Sequence, residues 1–219
     1  MTSPALPKLK LLYFDIHGLA ARIRLACRVG GIPFEDHRFA NREEFTALKE
    51  AKELPFGQVP LLLVDGQPLA QSGAILRYVC MLGGLHPTDA LAAARVDAAL
   101  ASETDAFSAY TALRYRERSG LAELSEEAVL TAELAQREQV FPKHLRQLEA
   151  MLEHSQSGWI ADSKGPAACD FAWGTQLREL QAGNLCWLQP ALLEGRRTMA
   201  FLDKFMALPE VAAYYAEKP

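Results

Sequence analysis

The run Leu61-Leu62-Leu63-Val64, closed by Asp65-Gly66, constrains this chain more than any other stretch. Asp-Gly suits a two-residue hairpin because both central residues of that turn need positive φ. A strand over 61–64 should therefore turn back into a short strand over 67–70. Ahead of it stands the turn-rich run Pro55-Phe56-Gly57-Gln58-Val59-Pro60, and behind it a helical pattern opens at Gln71-Ser72. Ser72 reads as the N-cap of that helix. A helix start with free amides favours an anion. The stretch thus joins a constrained strand entry at Val59-Pro60 to an anion-receptive exit at Ser72.

Upstream, residues 8–14 read as a short apolar strand that Asp15-Ile16-His17-Gly18 breaks. A helix is expected over 19–29, with Ile23, Ala26 and Cys27 on one face and Arg22, Arg24 and Arg28 interspersed; Gly30-Gly31 stops it. A second strand over 33–39 and a short polar helix over 42–52 follow, with Phe45 and Leu48 as its apolar side. The last helix of this part spans 72–81. Two strands joined through a helix should be parallel, and the hairpin antiparallel.

Beyond the linker at 83–87 every periodic segment is helical. Helices are expected over 89–118, after an N-cap at Ser125, and over 167–181, 196–207 and 209–215. Phe141, Leu145, Leu148 and Leu152 mark one helix face, and Pro142 inside that helix should kink or divide it. The expected fold class is α/β plus all-α, with one domain over 1–84 and an all-helical domain over 88–219.

Half of the 219 residues are hydrophobic and 23% are charged, an ordinary soluble composition. A net charge of -4 argues against a nucleic-acid partner, which needs clustered Lys and Arg. No apolar run approaches the roughly 18 residues of a membrane span, and the first ten residues do not read as a signal peptide, so a cytoplasmic home is expected. Cys27, Cys80, Cys169 and Cys186 stand far apart, without a Cys-x-x-Cys pair or a nearby His, which excludes the common zinc patterns; no metal is expected.

Tyr13-Phe14 at the end of the first strand, the run PFGQVP, and Val64-Asp65-Gly66 followed by Gln71-Ser72 make the chain resemble a cytosolic glutathione transferase. It is most similar to the sigma class, which includes glutathione-dependent prostaglandin D synthases. The resemblance spans nearly the whole chain, including VFPKHLRQLE and the spacing from Trp159-Ile160 to Asp170. It implies a thioredoxin-like first domain that binds glutathione as cosubstrate. It also implies a helical second domain carrying the acceptor side and the dimer contacts of a homodimer.

From the strand pattern alone Tyr13 is a half-buried aromatic with a wet hydroxyl; the resemblance makes it the catalytic residue. A thiol is mostly protonated at neutral pH, and a phenolic hydroxyl that donates to the thiolate favours the charged form. The resemblance further implies a cis bond at Val59-Pro60, with the Val59 backbone on the cysteinyl part of glutathione and Gln58 among the glutathione-binding residues. Gln71 and Ser72 are assigned to the γ-glutamyl end, and Lys49 to the glycyl carboxylate. Phe45 stands where the sigma pattern has Trp and so lacks the indole donor.

The loop after Tyr13 departs from the pattern, since Leu19 and Ala21 replace the family's Arg and Glu. His17 is either a partial substitute or a solvated loop histidine. Asp105 is the candidate acid reaching the partner's γ-glutamyl amine, because the usual position is Ala101. Phe56 either plugs the partner subunit or packs in its own domain. Ala167 replaces a capping Ser or Thr ahead of Asp170, which should weaken that helix by about 1 kcal/mol. Phe14, His17, Tyr110 and Arg114, with Tyr214 of the C-terminal helix, are expected to line an acceptor pocket for small apolar electrophiles. The expected activity is therefore transfer of glutathione, its thiol activated beside Tyr13, to such electrophiles. The alternatives are a glutathione-dependent prostaglandin isomerase and a non-catalytic glutathione-binding or structural dimer, which Leu19, Ala21 and Phe45 keep open.

Overall fold

A computed structural model describes residues 5–217, so the ends of the two expected domains, 1–4 and 218–219, lie outside the described residues. The chain divides into two units, Met1–Thr88 with Ala207–Pro219, and Asp89–Met206.

The first unit is a thioredoxin-like mixed sheet of β1 (Leu9–Phe14), β2 (Glu35–Phe39), β3 (Leu61–Val64) and β4 (Gln67–Ala70), in the order β2-β1-β3-β4. The helix α1 (Ala20–Val29) makes β1 and β2 parallel, setting Tyr13 opposite Arg38 and Phe14 opposite Phe39. β3 runs antiparallel to both β1 and β4. Its hairpin turns on Asp65 and Gly66, both at positive φ, as the Asp-Gly pair requires.

Strand alternation splits this unit's core. Leu11 and Tyr13 face one side, where α1 and α3 (Ser72–Leu82) bury Ile23, Leu25, Ile75 and Val79. Leu12, Phe39, Leu54 and Leu61 form the other cluster, joined by Phe14, Phe45 and Val59. Phe45 comes from α2 (Arg42–Glu50), whose N-cap Asn41 accepts from the Glu44 amide.

The helical part expected to run to residue 219 loses its last element to the first unit. α9 (Pro209–Ala216) packs on α1, burying Val211 and Tyr214, while Arg28 donates to both carboxylate oxygens of Glu217 at 2.7 and 2.8 Å.

The second unit consists of α4 (Ala90–Arg114), α5 (Glu126–Ala135), α6 (Phe141–Glu153), α7 (Ala168–Gln181) and α8 (Arg196–Met206), with no strand among its described residues. Trp173 of α7 donates to the Ala99 carbonyl of α4 at 3.1 Å. Pro142 does divide its helix, and the means is a π-helical turn over Gln136–Val140. Proline removes an amide and its ring excludes the carbonyl four residues back, so the ladder widens before α6 begins. Beyond it Phe141, Leu145, Leu148 and Leu152 are buried as one face. No described helix is long and apolar enough to cross a membrane.

Candidate active site

Tyr13 is the penultimate residue of β1, with only 8% of its surface exposed, and its hydroxyl oxygen accepts the Leu19 amide at 3.2 Å. This contact depends on Gly18. Gly18 lies at φ +42, and a Cβ there would come within 2.6 Å of the Tyr13 oxygen. A residue without a side chain lets the loop fold over the phenol and deliver the first free amide of α1 to it. The arginine side chain missing at position 19 thus leaves a backbone donor in place.

Arg24, which the sequence offered only as one of three arginines on a helix, lies beneath this loop. It is 1% exposed. Its Nη1 donates to the Ile16 carbonyl at 2.7 Å, Nη2 to the Phe14 carbonyl at 3.4 Å, and Nε to Asp36 Oδ1 at 3.0 Å. The guanidinium carbon stands 5.9 Å from the Tyr13 ring centroid.

His17 is not a solvated loop histidine. Its Nδ1 lies 3.0 Å from the Tyr214 hydroxyl, and its ring packs on Tyr214 and Tyr215 with centroids 5.1 and 5.2 Å away. Burial pushes the Tyr214 phenol upward against the opposing pull of Arg24. Sequence alone had no signal for this pairing, because its partners are separated by nearly the whole chain.

At the same end of the sheet, where Leu12 of β1 pairs with Leu61 of β3, the Val59-Pro60 bond is cis and Pro60 is buried. Gln71, exposed, occupies the cap position of α3 with φ 73 and ψ 113, an uncommon conformation for a residue with a side chain. Ser72 is therefore the first helical residue and not the N-cap expected from the sequence. The unusual Gln71 backbone completes the turn from β4, and its carbonyl takes the Ile75 amide at 3.0 Å. The Gln71 side chain makes no cap hydrogen bond to this helix, so its leading amides depend on other partners. Strained backbone of this kind concentrates where ligands are held.

Of the other expected site residues, Phe45 turns inward, its ring 5.3 Å from Phe14 and 6.2 Å from Phe39 between centroids. Lys49 is exposed on α2 beside the 55–58 turn; a Cβ built at Gly57 would lie 3.6 Å from its Cε. Gln58 is exposed and Val59 half-buried, and Phe56 is 62% exposed, which leaves it unpacked within its own chain. In the second unit Asp105 is exposed on α4. Tyr110 packs at a tilt on Trp187 with ring centroids 4.8 Å apart, its phenol pushed up by burial and by Cys186, and Arg114 lies over the Tyr115 ring.

Three of the chain's four thiols are poor nucleophiles, while Cys186 is exposed. Cys27, Cys80 and Cys169 are buried, the first pushed up to about 12 by burial and the Asp36 charge, the last well above its ordinary value by burial. No cluster of metal-ligating side chains occurs among the described residues. What the arrangement offers is a buried phenol supported by an amide, together with an uncapped helix start.

Comparison with known proteins gives a consistent result. Residues 9–80 match the family model described as glutathione S-transferase, N-terminal domain. The chain is 34% identical to "Glutathione S-transferase 1" of Ascaris suum, over 98% of each chain. It is 30% identical to "Hematopoietic prostaglandin D synthase" of Rattus norvegicus, again over 98% of each. The crystal structure of the glutathione S-transferase from Ascaris lumbricoides superposes with a TM-score of 0.76 at 34% identity, covering 97% of this chain and 98% of that one.

Proposed function

Because the chain belongs to the glutathione S-transferase family, we propose that it binds glutathione on its first unit and ionises the thiol beside Tyr13. A thiol of ordinary pKa, about 8.5, is mostly protonated at neutral pH. The thiol proton leaves to solvent, and the Tyr13 hydroxyl donates to the sulfur, which favours the charged form. The observation that carries this reading is the Leu19 amide on the Tyr13 oxygen. It engages a lone pair of the phenol and leaves the hydroxyl proton as the group to be given to sulfur. The thiolate then attacks an apolar electrophile. With an aryl halide, a C–S bond forms and halide departs with its bonding pair.

For the rest of the ligand, the Val59 backbone beside Pro60, with Gln58 next to it, is assigned to the cysteinyl part. Gln71 and the helix start at Ser72 are assigned to the γ-glutamyl carboxylate, for which an uncapped α3 is well suited. Lys49 is assigned to the glycyl carboxylate, and Phe45 to packing alone because it carries no donor. Asp105 is the acid offered to the partner's γ-glutamyl amine in a homodimer. Phe14 and His17 on the first unit, and Tyr110 and Arg114 on the second, are assigned to acceptor contacts.

Conjugation of glutathione to a chromogenic aryl halide by native protein and Tyr13→Phe tests the assignment. Turnover should fall at least tenfold in the variant, the range expected when a positioned donor is removed; undiminished turnover refutes the role of Tyr13. A second reading, isomerisation of a prostaglandin endoperoxide, is favoured by the likeness to the rat synthase. It predicts endoperoxide turnover without net loss of glutathione. Glutathione binding with no turnover of either kind would favour the non-catalytic dimer.

A further inference from the structure

The five residues between Tyr13 and Leu19 are tied down almost one by one. Asp15 accepts from Arg38 Nη1 at 2.6 Å, and Arg38 Nε donates to Asp36 Oδ2 at 2.9 Å. Asp36 Oδ1 takes Arg24 Nε, and Arg24 turns its other two nitrogens to the carbonyls of Phe14 and Ile16. The two peptide planes that shape the loop thus point at one buried guanidinium. That guanidinium is fixed in turn by a carboxylate on the neighbouring parallel strand.

We infer that Arg24, held by Asp36, is a positioning residue for Tyr13: it sets the loop so that the Leu19 amide arrives on the phenol oxygen. The inference rests on the reading of Tyr13 given above, and extends it to residues that touch neither ligand nor phenol hydroxyl. Three features of the site favour it. A buried guanidinium is costly unless fully paired, so its geometry is held to the one arrangement that pairs it. Its planar fork serves three acceptors in different directions, which a lysine cannot do. The bonds it makes are to backbone carbonyls, so they fix chain direction as well as side-chain position. The Leu19 amide lies only three residues beyond Ile16, so a small rotation at Ile16 carries it off the phenol.

The test uses the full chain as Arg24→Lys, Asp36→Asn and Asp36→Glu, with two readouts. The first is amide hydrogen exchange in the absence of ligand. Arg24→Lys and Asp36→Asn should exchange the Leu19 amide at least about tenfold faster, while the Leu11 and Leu62 amides of the sheet keep their native rates. The second is aryl-halide conjugation. In the same variants kcat should fall about 10- to 100-fold, as misplacement by an ångström does, with KM for glutathione within about twofold of native. Asp36→Glu should recover most of both. Unchanged Leu19 exchange and unchanged kcat in folded Asp36→Asn overturn the inference, even if Arg24→Lys fails to fold. An altered Leu19 exchange in a protein whose native form shows no glutathione turnover would leave the positioning intact and defeat the proposed function instead.

Discussion

Tyr214 and His17, almost two hundred residues apart in sequence, meet through a 3.0 Å contact between hydroxyl and ring nitrogen. The contact joins the helix α9 to the loop that follows the catalytic-candidate strand. It makes α9 a wall of the first unit, and it gives the loop a fixed point in addition to Arg24.

Removing the hydroxyl tests that wall. Tyr214→Phe keeps the ring packing and deletes one part-buried hydrogen bond, which contributes about 1 kcal/mol. A chain of this size should lose about 2–4 °C in Tm. Calorimetry of the two proteins measures it, and an unchanged Tm would mean that the hydroxyl contact does not help to hold α9.

Gly18→Ala should separate activity from stability. The new methyl would press on the Tyr13 oxygen and also sits at a φ that L-residues disfavour, at a cost of about 1–2 kcal/mol. The loop can relieve both by lifting, at the expense of the Leu19 bond. Conjugation activity should drop at least about tenfold, with Tm lowered by only a few degrees; steady-state kinetics beside thermal melts gives the comparison.

Ala167→Ser should stabilise the protein. Ala167 sits in extended cap geometry at φ -116 and ψ 179 with no side-chain acceptor. Asp170 answers only half of the usual reciprocal cap, its Oδ2 accepting the Ala167 amide at 2.8 Å. A hydroxyl there would take the amide of Asp170 and add about 1 kcal/mol. Urea denaturation should show a higher midpoint at unchanged slope.

Asp170 also gives a pH dependence. Burial moves its carboxyl from an ordinary 3.8 up to about 6, against the opposing amides of Ala167 and Ile160. A carboxyl raised in the folded state contributes its full stability below the unfolded value, and this is lost as pH climbs through the folded one. Relative to Asp170→Asn, the native protein should therefore lose about 2 kcal/mol between pH 4 and pH 7. Denaturation curves at pH 4.5, 5.5 and 6.5 read the difference, and parallel curves for the two proteins would count against it.

Much of the first unit was legible because its signals are local. Asp65-Gly66 dictates its own turn, the apolar run before it dictates a buried strand, and Gly30-Gly31 ends α1 where the pattern ends. Ser72 misled because serine is a good cap wherever a helix starts; only the backbone of Gln71 shows that the helix starts one residue earlier. Arg24 was invisible for another reason. Its value comes from Asp36, which lies on the next strand and reaches it only through the parallel register. Pro142 announced a break, but nothing in the composition of 136–140 says that the break takes the form of a widened turn and not a bend.

The grouping of Ala207–Pro219 with residues 1–88 also bears on synthesis. A chain made from its N-terminus at about 5–20 residues per second has the sheet, α1 and α3 in hand early. The face of α1 that α9 covers must then wait for more than a hundred further residues to emerge. During that interval the Tyr13 loop has Arg24 and Asp36 to hold it but not yet Tyr214. The first unit of this protein is the first to begin folding on the ribosome and the last to be finished.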